Sequence, residues 1–567
     1  MTRVAVDPSL AALEGAQPET RALNLFDLDP SLRTLLGLYL PKDLRVRLEP
    51  EYRRLGGEIA NRLDDLAVEA ERVGPVLKPR NRAGENAWSI AFHPAYKELE
   101  RVAFGEFGLA AMSNRAGVFD WPDKIPETAK YAFTYLFSQA EFGLCCPINM
   151  TDLTARMILK FGTPELIARY VPGLTAQDMD KHLQGTMWMT EKQGGSDVGK
   201  VTTVAKKDGE HWSITGDKWF CSVANADMAL ILARPEGAGP GTRGLGLFLV
   251  PRRRPDGSLN AFTCIRLKDK FGTRSMASGE MRFDGAFAYQ LGALDRGFVQ
   301  MTDMINLSRI SNAVRAAGLM RRSIHEAMAV AKGRVAFGRR LIDMPLMRRQ
   351  FLKMALPAEQ ALSVAFYAAE LLDKADGGDE IAARRLRIAT PLLKFRATRD
   401  ARKVAGDAME VRGGSGYIEE WAHPRMVREA HLGSIWEGTS NIVALDVARA
   451  IVRARAHEAL VEDLGARLNA VEGPIRSKIA SALEKAAAFA ARTATTGDER
   501  HARASASALY HAMSATLFAW EAARLGKAGA PRAALARLTI AHKLSPRDPL
   551  AEDDAALEAE AAEALFD

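Results

Sequence analysis

The spacing of apolar residues divides the 567-residue chain into helical and strand-rich regions. From about residue 32 to 181, apolar side chains recur at helical intervals, as at Leu55, Ile59 and Leu63, and prolines interrupt the pattern. From about residue 185 to 294, short aliphatic and β-branched runs alternate with turn-forming Asp-Gly and Gly-rich segments. Helical spacing then returns. The pattern predicts an α+β protein, mainly α, with one compact β domain.

The changes of pattern also predict domain boundaries. Within the β region we expect strands at 201–205, 211–215, 228–233, 245–250 and 262–267. The predicted domains are an N-terminal helical domain with an extension, a central β domain, a helical bundle, and an additional Ala-rich helical domain with an acidic tail at 552–567. They span residues 1–184, 185–294, 295–455 and 456–567.

Composition narrows the class of protein. Hydrophobic residues make up 47% of the chain and charged residues 26%, which is typical of a folded globular protein. No apolar run reaches the roughly 20 residues that a membrane-spanning helix needs, and residues 1–17 lack the pattern of a signal peptide. We therefore expect a cytoplasmic protein without a membrane span.

The spacing of cysteines and histidines argues against a metal site, whereas the net charge excludes no class of partner. The four cysteines and ten histidines lack the spacing of metal ligands, so we expect free thiols and no metal site. The net charge is +7. A basic protein attracts polyanions, and nucleic acids and phosphate-bearing cofactors fit this charge equally well.

The segment 189–198 is the strongest local signal for ligand binding. It reads Met-Thr-Glu-Lys-Gln-Gly-Gly-Ser-Asp-Val. Paired glycines let a ligand approach the backbone, and Thr190 and Ser196 offer hydroxyl groups. A polar turn between strands explains the same residues, and both interpretations stay open on this segment alone.

Two further segments of the β region carry aromatic or charged residues. Residues 216–223 read Gly-Asp-Lys-Trp-Phe-Cys-Ser-Val, for which an aromatic pair in a sheet core is the simpler alternative to a ligand contact. Residues 266–275 are rich in charge, and we expect Lys268 and Asp269 to lie in a solvated loop.

The second helical region holds two more candidate segments. Residues 334–338 read Arg-Val-Ala-Phe-Gly, and the planar fork of an arginine suits pyrophosphate oxygens, although a solvated helix face is the alternative. Residues 410–417 read Glu-Val-Arg-Gly-Gly-Ser-Gly-Tyr. Such glycines end a helix and allow close approach to a dinucleotide, whereas a plain helix end is the alternative.

One more segment, residues 434–442, reads Ser-Ile-Trp-Glu-Gly-Thr-Ser-Asn-Ile. The order and spacing of all these segments resemble the acyl-CoA dehydrogenase family, and its AidB-like (alkylation-response) branch in particular. Residues 92–96 and 146–151 also resemble that branch, and the resemblance extends over about 92–449. It implies an N-terminal helical domain, a central β-barrel-like domain and a C-terminal four-helix bundle, here followed by an extra helical domain. It also implies FAD as the cofactor and a homotetramer.

The resemblance assigns FAD contacts to several segments. Phe220 and Ser222 stand where most members have Trp and Thr, whereas Arg334 and Phe337 match residues that hold the FAD of a neighbouring subunit. The implied cofactor-binding residues are Met189, Thr190, Gly195, Ser196, Phe220, Ser222, Arg334, Phe337, Glu410, Gly413, Gly414, Thr439 and Asn441.

Glu437 corresponds to the catalytic glutamate of the family. Removing the weakly acidic α proton of an acyl thioester requires a base, and a carboxylate in an apolar surround, here Ile435 and Trp436, has a raised pKa. Some members take their base from an earlier helix. The corresponding residues 306–309 read Asn-Leu-Ser-Arg and contain no carboxylate, so Glu437 is the candidate base.

Three residues are assigned by the resemblance to substrate or cofactor surroundings. Arg309 and Ser196 are the implied substrate-binding residues, and a helix-surface arginine is the alternative for Arg309. Arg412 occupies a position that is apolar in relatives, which suggests an added cation in the cofactor or acyl pocket.

Three functions remain open from the sequence. The first is dehydrogenation of an acyl-CoA, with an electron acceptor that the sequence does not identify. The second is binding of double-stranded DNA and protection against alkylation damage, as the AidB-like resemblance implies for the additional helical domain. The third is that this domain only packs subunits together. The candidate DNA-binding cations are Arg467, Arg476, Lys478, Lys485, Arg492, Arg524, Lys527, Arg532, Arg537 and Lys543.

Overall fold

The structure is a computed structural model that describes residues 17–546, 550 and 555–567. Its helices are α1 (Pro30–Tyr39), α2 (Lys42–Ile59), α3 (Arg62–Arg72), α4 (Pro94–Glu100), α5 (Glu127–Phe137), α6 (Cys145–Phe161), α7 (Pro164–Leu174), α8 (Gly297–Gly333), α9 (Pro345–Asp376), α10 (Glu380–Val411), α11 (Ala422–Gly433), α12 (Ser440–Ala454), α13 (Ala456–Leu468), α14 (Pro474–Thr496), α15 (Ala502–Leu525), α16 (Ala530–Thr539) and α17 (Ala555–Phe566). Within these described ranges, no helix has the length and apolar character needed to cross a membrane.

The strands form two small hairpins and one larger sheet. They are β1 (Val76–Lys78), β2 (Ser89–Ala91), β3 (Gly185–Trp188), β4 (Val204–Asp208), β5 (His211–Ser222), β6 (Met228–Pro235), β7 (Gly246–Pro251), β8 (Phe262–Leu267), β9 (Ser278–Leu291), β10 (Val335–Ala336) and β11 (Arg339–Arg340). The pairs β1–β2 and β10–β11 are the hairpins, and β3 to β9 build the larger sheet.

The described chain forms two compact units that interleave along the sequence. The sheet unit contains the described residues of 62–126 and 140–308. The helical unit contains those of 1–61, 127–139 and 309–567. Prolines mark helix starts in the sheet unit, as at Pro94 and Pro164, where the missing N–H costs no hydrogen bond.

Strand pairing closes the larger sheet into a barrel. The ring runs from β6 to β4, β5, β9, β7 and back to β6, while β3 pairs with β6 and β8 pairs with β9. Closure satisfies the backbone groups that an open edge would expose. The core of this unit contains Trp188, Trp212, Phe248, Phe262 and Phe283. The predicted fold class, mainly helical with a barrel-like sheet, is confirmed.

The strand predictions were incomplete in two places. The predicted segments at 211–267 coincide with β5 to β8, but the first predicted strand begins later, at Val204, and β3 and β9 were missed. In β9 the exposed Arg282 and Asp284 alternate with the buried Met281 and Phe283. This two-residue alternation is that of a strand with one buried face. The charged residues on the other face are also common in loops, so the strand was missed.

The helices after residue 456 pack on the bundle within the helical unit. Helix α15 contacts α9, α10 and α12. A buried arginine on α16, Arg532, lies 3.1 Å from Glu359 on α9 and 3.5 Å from Glu521 on α15. Burial raises the pKa of Glu521 to about 7, and Arg532 opposes this rise. The additional helices and the bundle therefore share one set of buried charges.

The acidic tail is partly described. Residues 552–554 lie outside the described residues, and residues 555–566 form α17. Glu558 lies 3.0 Å from Arg349, and Asp567 lies 2.7 Å from Arg348, so the tail pairs with basic residues of α9.

Candidate active site

The turn between α11 and α12 carries Glu437. Helix α11 ends at Gly433, and Thr439 is the N-cap residue of α12. Glu437 and Gly438 both have a positive φ, of 56° and 96°. A positive φ is unusual for glutamate and costs on the order of 1–3 kcal/mol, so the surrounding contacts must stabilise it.

Two cations hold the backbone of this turn. The Lys394 Nζ donates hydrogen bonds to the carbonyl oxygens of Trp436, at 2.9 Å, and of Gly438. The Arg309 Nε donates to the carbonyl oxygen of Glu437 at 3.0 Å. Three consecutive carbonyl groups around the candidate base are therefore bonded to basic side chains.

Arg309 is itself fixed by an acidic partner. Its Nη1 lies 2.8 Å from the Asp446 Oδ2 on α12, and Arg387 lies 2.7 Å from the Asp446 Oδ1. Burial alone would raise the pKa of Asp446, but Arg387 and Arg309 hold it below its usual value. Arg309 is only 9% exposed. Its contact with an acyl-CoA stays a prediction.

Lys394 is the site residue that sequence reasoning missed. It lies on α10, is 1% exposed, and forms no ion pair within the described part of the chain. Burial and, to a smaller extent, Arg309 lower its pKa to about 7, while Glu437 opposes the shift. The available signal was a single charged residue in the otherwise uncharged run 388–395.

The expected apolar surround of Glu437, formed by Ile435 and Trp436, is present only in part. Trp436 is half-buried, and the Arg315 guanidinium lies 5.0 Å from the centre of its ring. Ile435 is 60% exposed, so in the single chain it does not form an apolar cover. Thr439 and Asn441 are exposed at the N-terminus of α12, where free N–H groups and the helix dipole favour anions.

A two-residue hairpin presents Phe337. The loop between β10 and β11 consists of Phe337 and Gly338, with φ of 53° and 74°, which is the pattern of a type I′ turn. Phe337 is 97% exposed. The Arg334 Nη1 lies 3.5 Å from the carbonyl oxygen of Arg412, so the hairpin adjoins the glycine-rich segment.

The glycine-rich segment follows α10 as a short 3₁₀ turn. Gly413 has a φ of 70°, and a Cβ at Gly414 would meet no atom within 4 Å, so the backbone there is open to a ligand. Glu410 is exposed. Arg412 is buried, 3.4 Å from Glu326, and its guanidinium lies 3.9 Å from the centre of the Trp421 ring. These contacts give Arg412 a structural role.

In the sheet unit, a buried ion pair anchors the segment 189–198. The Lys218 Nζ lies 2.7 Å from the Glu191 Oε1. Glu191 also accepts hydrogen bonds from the backbone N–H groups of Thr202, at 2.8 Å, and Thr203, at 3.2 Å. Burial alone would raise the pKa of Glu191, but Lys218 and these donors hold it at about 2.

The same segment places its predicted ligand contacts near β5. The backbone N–H of Trp219 donates to the carbonyl oxygen of Thr190 at 2.8 Å. A Cβ on Gly195 would lie 2.7 Å from the Thr190 Oγ1, so a side chain there would collide with Thr190. Ser196 is exposed, whereas Met189 and Thr190 are half-buried.

A bulge in β5 turns Phe220 outward. The pairing of β5 with β9 is irregular between Lys218 and Cys221, and both of these residues are buried. An extra residue in one strand reverses which side chains face the core. Phe220 is consequently 60% exposed, and Ser222 is half-buried beside it.

The prediction that Lys268 is a solvated loop residue was wrong. Its Nζ lies 3.3 Å from the centre of the Trp219 ring, and it also pairs with Glu280. Asp269 is exposed as expected. The ring of Trp219 attracts the cation and removes its side chain from solvent.

Comparison with known proteins identifies the family. The C-terminal domain of acyl-CoA dehydrogenases matches residues 295–452, the middle domain matches 186–286, and the N-terminal domain of the adaptive response protein AidB matches 16–181. Acyl-CoA dehydrogenase family member 11 of Caenorhabditis elegans is 33% identical over 437 residues, which are 75% of this chain and 70% of that protein.

Two further relatives extend this result. AidB of Escherichia coli is 36% identical over 391 residues, which are 66% of this chain and 69% of that protein. The crystal structure of Caenorhabditis elegans ACDH-11 in complex with C11-CoA has a TM-score of 0.84 and 28% identity, over 96% of this chain and 95% of that one. The chain therefore belongs to the acyl-CoA dehydrogenase family, in the branch that carries the AidB N-terminal domain.

Proposed function

We propose that this protein is an FAD-dependent acyl-CoA dehydrogenase in which Glu437 is the base that removes the α proton. The observation that carries the proposal is the left-handed backbone of Glu437, which two cations hold through neighbouring carbonyl groups. Strained backbone at a polar turn is characteristic of functional sites. The C11-CoA complex of ACDH-11 supports an acyl-CoA as the ligand class.

The residues present fit an FAD cofactor. In the sheet unit, Ser196 offers an exposed hydroxyl and Phe220 an exposed aromatic face. In the helical unit, the open backbone at Gly414, the nearby Arg334 and the N-terminus of α12 suit phosphate oxygens. These residues, with the others assigned from the sequence, would hold the cofactor. FAD, when bound, supplies the acceptor for the hydride that leaves the substrate β carbon.

The protein's own part in the reaction is proton removal and positioning. Glu437 takes the α proton as the bond between the α and β carbons becomes double, and the product is an enoyl-CoA. A general base of this kind contributes a factor of about 10²–10⁴ in rate. Because Lys394 and Arg309 fix the turn, the carboxylate needs little reorganisation before it reacts.

One titration tests this proposal. Acyl-CoAs of graded chain length are added without oxygen to the purified flavin-loaded protein, and the visible flavin bands are recorded. Bleaching by at least one acyl-CoA supports a dehydrogenase. A bound flavin that no acyl-CoA of the series bleaches contradicts it.

We also propose that the protein is a homotetramer in which the 334–338 hairpin contacts a second subunit. A side chain as large as Phe337 that is 97% exposed at a turn is stabilised when a partner covers it. Replacing Phe337 by Asp should reduce the assembly to smaller species and lower the FAD content of the purified protein several-fold.

Light scattering of the eluting protein and the ratio of flavin to protein absorbance measure both effects. The matched control is Val46→Asp, which changes an apolar residue that is 60% exposed on α2. An intact tetramer with full flavin content in Phe337→Asp would contradict the proposed contact.

A second candidate function is binding of double-stranded DNA, which a row of cations on α14 favours. Two of the ten candidate cations, Arg467 and Arg532, are held in ion pairs with side chains only 11% and 4% exposed, and they are not available to phosphates. The exposed residues Lys478, Lys485 and Arg492 lie seven positions apart on α14. They therefore share one face at intervals of about 10.5 Å.

Neutralising this row should weaken DNA binding in a salt-dependent way. If all three cations contact phosphates, the triple change Lys478→Gln, Lys485→Gln and Arg492→Gln lowers the slope of log affinity against log salt by about 2.7. Fluorescence anisotropy of a labelled duplex over a salt series measures the slope for the full chain.

The control carries the same change in charge elsewhere. Arg33→Gln, Lys42→Gln and Lys206→Gln replace three exposed cations outside the additional helices. Equal slopes for the two triple variants, or no binding by the unmodified protein, would exclude this surface as a DNA site.

A further inference from the structure

We infer that Lys394 is a positioning residue, which fixes the turn of Glu437 through hydrogen bonds to the carbonyl groups on either side of it. The inference rests on the proposed function of Glu437 as base. It assigns Lys394 no contact with substrate or cofactor, since the ammonium group acts through the backbone of the turn.

The first support is the hydrogen bonding of the turn. The carbonyl groups of Trp436 and Gly438 flank Glu437, and both accept from the same ammonium group. An ammonium group has three donors and can bond both carbonyl groups at once. Arg309 bonds the carbonyl group between them at 3.0 Å, so each peptide of the turn has a cationic partner.

The second support is the unfavourable burial of this lysine. Lys394 is 1% exposed, and within the described residues it has no carboxylate within ion-pair distance. Burying a lysine without such a partner is costly, and buried charges are usually paired. The hydrogen bonds to the carbonyl oxygens of Trp436 and Gly438 are the contacts that offset this cost.

The third support is the balance of charges around the ammonium group. Arg309 on α8 disfavours its protonated form, and Glu437 on the turn favours it, while Asp446 on α12 is already occupied by Arg309 and Arg387. The interaction between Lys394 and Glu437 is reciprocal, so Lys394 in turn favours the ionised carboxylate. The ionised carboxylate is the form that accepts the α proton.

Lys394→Met tests the inference, because methionine keeps the length of the side chain and removes the donors. We expect flavin reduction by the active acyl-CoA to slow by about 10²-fold, as a misplaced base does, with little change in KM. The acidic limb of the pH–rate profile should move to higher pH. Amide hydrogen exchange at 434–440 should quicken at least tenfold, and Lys394→Arg should restore part of both the exchange protection and the rate.

The control is Lys403→Met, on the same helix, where the lysine is exposed and pairs with Asp407. Unchanged exchange at 434–440 and an unchanged pH profile in Lys394→Met would overturn the inference. If Lys394→Met does not fold, Lys394→Gln, whose side chain is shorter and uncharged, decides: slower flavin reduction with altered exchange supports the inference, and unmodified behaviour overturns it. If no acyl-CoA reduces the unmodified protein, the proposed function fails, and the exchange measurement still decides whether Lys394 holds the turn.

Discussion

We expect Glu437→Gln to lower the rate of flavin bleaching by acyl-CoA about 10²–10⁴-fold, with the flavin still bound. Glutamine keeps the size of the side chain and its hydrogen-bonding oxygen but cannot accept the α proton. Because the loss concerns the proton in the transition state, the affinity for the acyl-CoA should change little. Rapid-mixing absorbance without oxygen measures the rate, and the dependence on acyl-CoA concentration measures the affinity.

Glu462→Gln is the matched control for this variant. Glu462 is an exposed glutamate on α13 in the same unit, and its replacement should leave the rate within about twofold. If Glu437→Gln retained the unmodified rate, the base would have to come from another residue. The segment 306–309 could not provide it, since it contains no carboxylate.

The second large effect concerns stability. Lys218→Met should destabilise the sheet unit by about 3–5 kcal/mol, because it leaves Glu191 buried without its cation. The side chains of Lys218 and Glu191 are 0% and 3% exposed, so solvent cannot replace the lost partner. Urea unfolding, followed by the fluorescence of the buried tryptophans, measures the loss. The segment 189–198 should lose order first, and flavin content should fall with it.

The neighbouring exposed ion pair supplies the control. Arg282 and Asp217, the residue before Lys218 on β5, lie 3.1 Å apart with side chains 51% and 40% exposed. Arg282→Met should cost no more than about 1 kcal/mol. A similar loss of stability in the two variants would show that burial does not strengthen the Glu191 pair.

Acid should weaken the same anchor in a defined range. The pKa of Glu191 is held at about 2 in the folded protein, below its ordinary value of 4.5. A depressed carboxyl pKa contributes stability above the ordinary value, and this contribution is lost as pH falls from about 4.5 towards 2. The difference in stability between the unmodified protein and Lys218→Met should shrink over that range.

The sequence predicted the fold from local information, because helical spacing and strand periodicity are properties of neighbouring residues. Glu437 and the segment 334–338 were assigned by the family resemblance of their motifs. The hairpin at 334–338 was not predicted, since that segment lies in a region read as helical. The motif 189–198 was also recognised, although its glutamate was not. Glu191 forms its contacts with β5 and with Thr202 and Thr203, so its burial depends on the closure of the barrel.

What the sequence could not predict depends on contacts between distant segments. Lys394 precedes Glu437 by 43 residues, and nothing in its local pattern shows which carbonyl groups it meets. The bulge that turns Phe220 outward depends on the register of β5 against β9, which was itself missed as a strand. Lys268 is not the solvated residue that was expected, because its ammonium group lies against the ring of Trp219.

The buried Arg532 of α16 connects the additional helices to the bundle. Arg532 neutralises Glu359 of the bundle and Glu521 of α15 together. A chain ended at residue 455 would leave Glu359 paired with Arg321 of α8 but without Arg532. The same helices joined to another bundle would keep the pair of Arg532 with Glu521 and lose the contact with Glu359. A transfer of the additional helices preserves both contacts of Arg532 only if α9 moves with them.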